Sequence, residues 1–454
     1  MRQFLRCTGV GLVTGWLLTA PAMAAAAPLP PQPATAGPVA INHLAAGKIK
    51  HVFVIVQEGH SFDNYFGTFP GVTGLSASTT VPLNPSSPAS GVVTAHQLTT
   101  VRTAPLDNSL RAAKQALNGG AMNGFSATQQ SLAGGSSLTM GYYTAKEIPY
   151  YWSLARKYVL ADHFFSSALG GSTANHQFLV GAQSWAPAAA GAALPTVPTI
   201  FNRLDGAGVS WGYFVAQYRK HVASGLQAAL LPQVPILGLA NIAGNPADLA
   251  RVQDLSTLYH DLARGSAPAV SYVVQPGQTE HAPGNIASGE IATVGLINTI
   301  MRSRIWSSSA IFLTWSDWGG WYDGVPPPQV DSVGYGFRVP LLIVSPFADR
   351  GTIYTGTADF TSILKFIETL YGLPPLTTRD QAATNLMGAF SFHTRGGSPA
   401  PVTMGSMPTA GLAHGSLTAV VVAYSVPGLL LLFLITYAGS TWLSRNRRRE
   451  ERKA

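Results

Sequence analysis

Four runs of apolar, mostly β-branched residues are the strongest constraint on the fold of this chain. Each has strand length and lacks polar alternation, which is typical of strands buried on both faces. Helical patterns lie between or after them, which favours an α/β fold with a mainly parallel central sheet flanked by helices. The predicted strands are His51–Val56, Ala269–Val274, Ala310–Thr314 and Val339–Val344. The predicted helices include Glu147–Tyr158, Ala174–Ala182, Ile291–Ser303 and Thr361–Leu370.

Both ends of the chain predict a membrane location. Residues 1–24 combine a basic start, an uncharged stretch and the small residues Ala22 and Ala24, which is the order of a secretory signal peptide. Residues 417–438 carry no charge and, at about 1.5 Å per residue, would span roughly 33 Å as a transmembrane helix. The basic tail 439–454 would stay in the cytoplasm. We expect a single-pass protein of the cell membrane whose large domain is extracytoplasmic, in the periplasm or at the cell exterior.

The segments between these ends predict one domain with flexible flanks. An Ala- and Pro-rich lead covers residues 25–47, and a stalk rich in Gly, Ser, Pro and Thr covers residues 393–416. The domain itself is expected at 48–392, which is long enough to bury a core without disulfides. The chain has one cysteine, Cys7, and it lies in the predicted signal peptide.

The basic balance of the chain comes mostly from its ends. The formal net charge is +8 and the pI is about 9.5. Of 28 Lys and Arg, two lie in the predicted signal peptide and six in the tail, so the exported domain is close to neutral. Basic residues at the two ends are typical of membrane topology signals. Because the exported domain itself is close to neutral, we expect no nucleic-acid partner.

Two acidic residues follow predicted strands and are candidate metal ligands. Glu58 lies two residues after the first strand and Asp317 three residues after the third, each in a Gly-containing turn. The carboxyl ends of parallel strands meet at one edge of a sheet, where two carboxylates can bind a divalent cation. The alternative is that both acids are turn formers or helix caps, as strand-end acids often are.

A Gly-rich segment before a predicted helix supplies a candidate nucleophile. Gly170 and Gly171 precede Ser172 in the run Gly-Gly-Ser-Thr-Ala-Asn-His. Glycines let a phosphate approach the backbone, and a helix N-terminus offers free N–H groups to it. A cation at this position would activate the Ser172 hydroxyl. The alternative is that Ser172 or Thr173 is only the N-cap of the helix.

The loop after the second predicted strand contributes two further candidates, Glu280 and His281. A histidine there can act as a general acid or as a ligand. The alternative is a solvated loop histidine without a catalytic role.

Taken together, these segments resemble the bacterial phosphoesterase family of phospholipases C and metal-dependent acid phosphatases. Its members carry a Glu-Asn-Arg-Ser-Phe-Asp-x-Tyr-Phe-Gly block after the first strand, and residues 58–67 here read Glu-Gly-His-Ser-Phe-Asp-Asn-Tyr-Phe-Gly. Further similar blocks follow in order from about Lys48 to Phe392. They are residues 118–125, 140–143, 148–152, 280–281, 319–323 and 337–346.

The resemblance implies an alkaline-phosphatase-like α/β fold and a metal-bound serine or threonine nucleophile. Carried over by position, it implies that Glu58 and Asp317 are metal ligands of a divalent ion of unknown identity. It implies that Ser172 is the nucleophile and that the Glu280–His281 pair belongs to the active site. The substrate would be a phospholipid or another phosphate ester.

Several positions depart from the family pattern. Gly59 stands where the family has an asparagine, itself a ligand, and Ser316 stands where it has the first of two acids. Gly324 replaces a histidine, Asn123 replaces an acid, and upstream histidines of the family are absent, with Asn108 in that region. His60 and Asp63 are the candidates for replacing the lost ligands.

These departures leave two hypotheses about function. The first is a membrane-tethered extracytoplasmic phosphoesterase of the phospholipase C or acid phosphatase type that uses a metal-activated serine. The second is a catalytically impaired relative that binds phosphate, lipid or a partner. Retention of Ser172 favours the first, whereas Gly59, Ser316 and Gly324 favour the second.

Overall fold

The computed structural model describes residues 45–129, 135, 137–188, 192–392 and 399–404. Its strands, numbered β1 to β14, are His51–Gln57, Thr80–Pro82, Val92–Thr94, His96–Gln97, Gly141–Tyr142, Val159–Ala161, Phe164–Phe165, Trp211–Val215, Val252–Asp254, Val270–Val274, Ser309–Trp315, Leu341–Val344, Thr352–Tyr354 and Ala358–Asp359. Seven longer helices, numbered α1 to α7, are Leu110–Leu117, Pro149–Lys157, Ser172–Gly181, Ile200–Gly206, Leu255–Arg264, Ile286–Arg302 and Phe360–Tyr371. Shorter helices are Phe62–Phe66, Phe125–Thr128, Tyr218–Ala223, Ala240–Ala243, Pro246–Leu249 and Thr378–Ala382.

An eight-stranded sheet forms the centre of the domain, in the order β13-β6-β12-β11-β1-β10-β8-β9. Every pair in it is parallel except the two pairs made by β12, which runs antiparallel to β11 and β6. Strands β10 and β11 are buried along their whole length, because helices cover both faces of the sheet. The prediction of an α/β fold with a mainly parallel sheet is confirmed.

The predicted elements differ from the observed ones mainly at their ends. The fourth predicted strand begins at Leu341 rather than at Val339, and Pro340 in between has no N–H for a strand ladder. Helix α2 begins at Pro149, because proline is favoured in the first helical turn. Strands β6, β8, β9 and β13 have no counterpart among the predictions, and three of them are only three residues long.

The antiparallel direction of β12 brings a buried arginine to the carboxyl edge of the sheet. Arg338 lies shortly before β12 and is fully buried. Its guanidinium donates to Asp323 at 2.9 Å and to Asp63 at 3.0 Å, and to the backbone carbonyls of Thr73 and Asp162. One side chain therefore connects four segments of the chain at the carboxyl edge of the sheet.

Described residues on both sides of the predicted domain 48–392 are also buried. Ala45, within the predicted lead, is buried in a helical turn. At the other end, within the predicted stalk, Val402 is buried and packs on α6. Its backbone N–H and C=O are both hydrogen-bonded at 2.8 Å to the side chain of Asn298. Residue 402 therefore contacts helix α6, while the predicted bounds of the domain and the stalk stay a prediction.

The predicted signal peptide 1–24, the transmembrane helix 417–438 and the tail 439–454 lie outside the described residues. Within residues 45–404, apart from the gaps given above, no helix is both long and apolar enough to cross a membrane.

Candidate active site

Glu58 and Asp317 lie side by side at the carboxyl ends of β1 and β11. These strands are parallel neighbours, with Gln57 opposite Trp315, so the residues that follow them emerge together. The hydroxyl of Ser316 donates to Glu58 Oε2 at 2.5 Å and lies 3.1 Å from Asp317 Oδ2. The two acids that the sequence singled out therefore share one hydroxyl.

The remaining oxygens of the two acids have partners from other elements. Glu58 Oε1 is 2.7 Å from His176 Nε2, and Asp317 Oδ1 accepts from Asn108 Nδ2 at 2.9 Å and from the backbone N–H of Gly319 at 2.8 Å. Burial raises the pKa of Asp317, an effect that the nearby His281 opposes. Within the described residues, neither acid forms an ion pair with a lysine or arginine.

Ser172 is the first residue of α3, and the N-cap is Gly171. The alternative that Ser172 or Thr173 serves only as N-cap is therefore wrong. The helix start lies close to the acids, because a Cβ added to Gly171 would be 3.7 Å from Asn108 Nδ2, the group that donates to Asp317. One turn further along the same helix, His176 contacts Glu58. Helix α3 is thus connected to the Glu58–Ser316–Asp317 cluster near its start through Asn108 and one turn later through His176.

His281 lies against Gly59, the residue after Glu58. Gly59 has a φ of +67°, and a Cβ added there would collide with the imidazole ring of His281. The ring therefore takes the space that a side chain at position 59 would need. His281 is partly buried, and it is close enough to Asp317 to oppose the rise that burial causes in the pKa of that carboxyl.

Glu280, in contrast, lies behind the site and is fully buried. Its carboxylate accepts hydrogen bonds from Tyr151 at 2.5 Å, Tyr65 at 2.8 Å and Trp315 at 2.9 Å. Burial raises the pKa of Glu280 to about 7, although these three hydrogen bonds lower it. The carboxylate is therefore enclosed by side chains, and the catalytic role expected of Glu280 stays a prediction.

The two residues considered as substitutes for lost metal ligands are occupied elsewhere. His60 is buried, with Nδ1 2.7 Å from Asn64 Oδ1 and Nε2 3.0 Å from the carbonyl of Glu280. Burial lowers the pKa of His60 to about 4, although both of these hydrogen bonds raise it. Asp63 pairs with Arg338. Neither side chain is directed at Glu58 or Asp317.

Two polar partners of the acids, His176 and Asn108, were not assigned a role from the sequence. His176 follows Ser172 by four residues, a spacing that places both side chains on one face of a helix. That spacing was the available signal. Asn108 has no comparable local signal, because its contact with Asp317 joins residues far apart in the chain.

The acids provide a partial donor set for a cation. Within the part of the chain that the structure describes, no three His, Cys, Asp or Glu side chains are grouped closely enough to hold a metal ion by themselves. The two buried carboxylates meet at one hydroxyl, and the basic side chains beside them are the histidines His176 and His281. Such a pair fits a hard divalent cation that completes its coordination with water and substrate phosphate.

Comparison with known proteins identifies the family. The model of the Phosphoesterase family matches residues 49–374. The chain is 28% identical over 433 residues to phospholipase C B of Mycobacterium tuberculosis, an alignment that covers 79% of this chain and 82% of that protein. It is 25% identical to the non-hemolytic phospholipase C of Pseudomonas aeruginosa, covering 82% of this chain and 61% of that protein.

Similarity to solved structures is more distant. A protein in the alkaline phosphatase superfamily from Vibrio parahaemolyticus aligns over 76% of this chain and 78% of its own, with a TM-score of 0.36 and 10% identity. A score at this level does not bear on fold or function. The family match, in contrast, spans most of the chain and includes the strands and loops that build the site. The chain therefore belongs to the Phosphoesterase family and is a hydrolase acting on phosphoric esters.

Proposed function

We propose that this protein is a membrane-tethered extracytoplasmic phosphoesterase that uses Ser172 as a nucleophile and a divalent cation held by Glu58 and Asp317. The observation that carries the proposal is the position of Ser172 at the start of α3, on the helix whose His176 contacts Glu58. Phosphate bound there would meet the free N–H groups of the first helical turn.

The reaction would proceed in two displacements. Ser172 Oγ gives up its proton to solvent and attacks phosphorus, the bond from phosphorus to the ester oxygen breaks, and the phosphoryl group passes to the serine. The departing alcohol takes a proton, for which His281 is the candidate donor. Water then attacks the phosphoserine, breaks its bond from phosphorus to Oγ, and restores the hydroxyl.

Glu58 and Asp317 are the residues that would hold the cation. A bound divalent cation would favour the alkoxide of Ser172 and neutralise charge on the phosphoryl oxygens. Ser316 supports this role because its hydroxyl keeps the two carboxylates together at one point.

The substrate we propose is a phospholipid, which is hydrolysed at an ester bond of its head-group phosphate. Two kinds of observation support it: the similarity to two bacterial phospholipases C and the predicted membrane helix at 417–438, which would keep the domain near a bilayer. The predicted signal peptide 1–24 supports an extracytoplasmic location.

Hydrolysis assays on the full chain test the proposal. We expect hydrolysis of phosphatidylcholine vesicles and of p-nitrophenyl phosphate to fall at least about a thousandfold in Ser172→Ala, because a nucleophile is removed. Thr173→Ala is the matched control, since Thr173 is exposed at the same helix end, and it should stay within about twofold of the unchanged chain. Equal rates for Ser172→Ala and the unchanged chain would reject Ser172 as nucleophile.

A metal measurement separates this proposal from the second hypothesis, a catalytically impaired binding protein. We expect the purified chain to bind a divalent cation, and Glu58→Gln and Asp317→Asn each to weaken that binding by about 10–100-fold. Binding of phosphatidylcholine vesicles without hydrolysis at any cation concentration would favour the impaired relative. The substitutions that support that reading are Gly59, Ser316 and Gly324.

A further inference from the structure

The buried carboxylate of Glu280 is fixed by the aromatic side chains around it. Tyr65, Tyr151 and Trp315 come from three different segments and donate to it, and no part of Glu280 is exposed. An ionised or protonated carboxyl in such a setting is held in one orientation, because any rotation would leave buried donors without an acceptor. Glu280 therefore acts on its neighbours in the chain and not on a substrate.

The neighbour that matters is His281. The peptide between the two residues is held from the other side as well, since the carbonyl of Glu280 is 3.0 Å from His60 Nε2. The His281 N–H donates to the Thr279 hydroxyl at 3.2 Å, and the His281 carbonyl accepts from Gly284 at 2.7 Å. With its side chain and carbonyl both fixed, Glu280 determines where the next residue directs its ring.

Two glycines provide the space for this arrangement. A Cβ on Gly59 would collide with the ring of His281, and a Cβ on Gly289 of α6 would collide with the Glu280 side chain. The Glu280–His281 pair is thus enclosed between β1 and α6, and a methyl group on either side would displace it.

We propose that Glu280 is a positioning residue, whose enclosed side chain holds the His281 imidazole against Gly59 beside the Glu58–Ser316–Asp317 cluster. This inference deepens the proposed function and depends on it for the reaction that His281 serves. It differs from a purely structural role in one respect: the effect of Glu280 on turnover passes through His281.

Substitution at Gly289 tests the inference without changing either residue of the pair. In a helix interior Gly→Ala usually stabilises, yet Gly289→Ala would push Glu280 out of position. Gly295→Ala is the matched control, because it lies on the same helix with only Met404 Cε at 4.0 Å from its added Cβ. We expect kcat to fall about 10–100-fold in Gly289→Ala and in Glu280→Gln, since small displacements of a reacting group have costs of that order. Gly295→Ala should match the unchanged chain.

A double-mutant cycle distinguishes positioning from stability. In a His281→Ala background, Gly289→Ala and Glu280→Gln should lower kcat by less than about twofold, because the group they position is already gone. If each lowers kcat as much there as in the unchanged background, Glu280 acts through general stability and the inference is wrong.

A spectroscopic readout is independent of turnover. The chain has 11 histidines, so the NMR signal of His281 must first be assigned. In a histidine-labelled sample, the Cε1–H signal of His281 is the one that disappears in His281→Ala. We expect that signal to shift in Gly289→Ala and Glu280→Gln and to stay in place in Gly295→Ala. An unmoved signal in folded Gly289→Ala would overturn the inference. If the unchanged chain shows no hydrolysis that depends on Ser172, the proposed function is wrong. The position of the His281 ring can still be measured in that case.

Discussion

Glu58 on the loop after β1 and His176 on α3 are joined by a 2.7 Å hydrogen bond between Oε1 and Nε2. This contact connects the helix that begins with Ser172 to the strand end that carries the first acid. Both side chains are buried, so the contact is shielded from water. One hydrogen bond between residues 118 positions apart therefore joins Glu58 to the helix of Ser172, the proposed nucleophile.

We expect His176→Ala to lower kcat/KM and cation affinity by about 10–100-fold, because residues that orient a ligand have effects of this size. His176→Gln, which keeps a donor, should recover part of the loss. His221→Ala is the control, since His221 is half-buried and its Nδ1 lies 3.0 Å from the Gln217 carbonyl of its own segment. If His176→Ala and His221→Ala change kcat/KM and cation affinity equally, the contact between His176 and Glu58 does not contribute to function.

Ser316→Asp should change the response to cations. The substitution places a third carboxylate between Glu58 and Asp317, where the unchanged chain has a donor. In the absence of a cation, repulsion between the three carboxylates should lower the melting temperature. In the presence of a cation, the third carboxylate should raise the affinity of the chain for that cation. Thermal unfolding in EDTA and in Mn²⁺ measures both, with Ser316→Ala as the uncharged control. A cation-induced shift no larger than that of the unchanged chain would mean that position 316 does not correspond to the acid of the family.

Gly59→Asn should destabilise the chain by about 1–3 kcal/mol, a cost typical of overpacking, because the new side chain meets the ring of His281. Asparagine tolerates the φ of +67° better than most residues, so the collision dominates. Gly59→Asn combined with His281→Ala should therefore be more stable than Gly59→Asn alone. Gly119→Asn is the control, since Gly119 has a φ of +66° and open space around it. Urea unfolding measures these variants together with His281→Ala alone and the unchanged chain, and strictly additive effects of Gly59→Asn and His281→Ala would contradict the shared space.

Stability should fall as pH rises, in part through Glu280. Burial raises the pKa of this carboxyl from 4.5 to about 7. Between these values the folded chain holds a proton that the unfolded chain lacks, so the stabilisation is complete below about pH 4.5 and lost as pH rises through about 7. The shift corresponds to about 3 kcal/mol. Urea midpoints from pH 4 to 8 should decline less steeply for Glu280→Gln, and parallel curves for the two chains would refute the assignment.

Asn298→Ala should lower the free energy of unfolding by about 1–3 kcal/mol, since it leaves the buried N–H and C=O of Val402 without partners. Thr299→Ala on the same helix is the control, because Thr299 bonds only to a carbonyl one turn back. The loss should be absent in a chain that ends at Phe392, where Val402 no longer exists. An Asn298→Ala effect that persists in that shorter chain would place its cause elsewhere.

Local sequence determined the centre of the fold and the identity of the two strand-end acids. The runs that became β1, β10 and β11 are apolar throughout because both of their faces are buried, and that composition is readable without a structure. Glu58 and Asp317 follow from the same reading, since parallel neighbours end at one edge. The Gly-Gly-Ser segment likewise predicted the start of a helix. The expected helix begins at Ala174, and the observed helix begins two residues earlier, at Ser172.

Tertiary structure alone decided how those residues are connected. The direction of β12, the shared hydroxyl of Ser316 and the contact between His176 and Glu58 all join segments far apart in the chain. Glu280 and His281 are adjacent in sequence, yet packing encloses one and leaves the other beside the acids. Periodicity and turn chemistry are local properties, whereas burial and hydrogen-bond partners depend on which distant segments pack together.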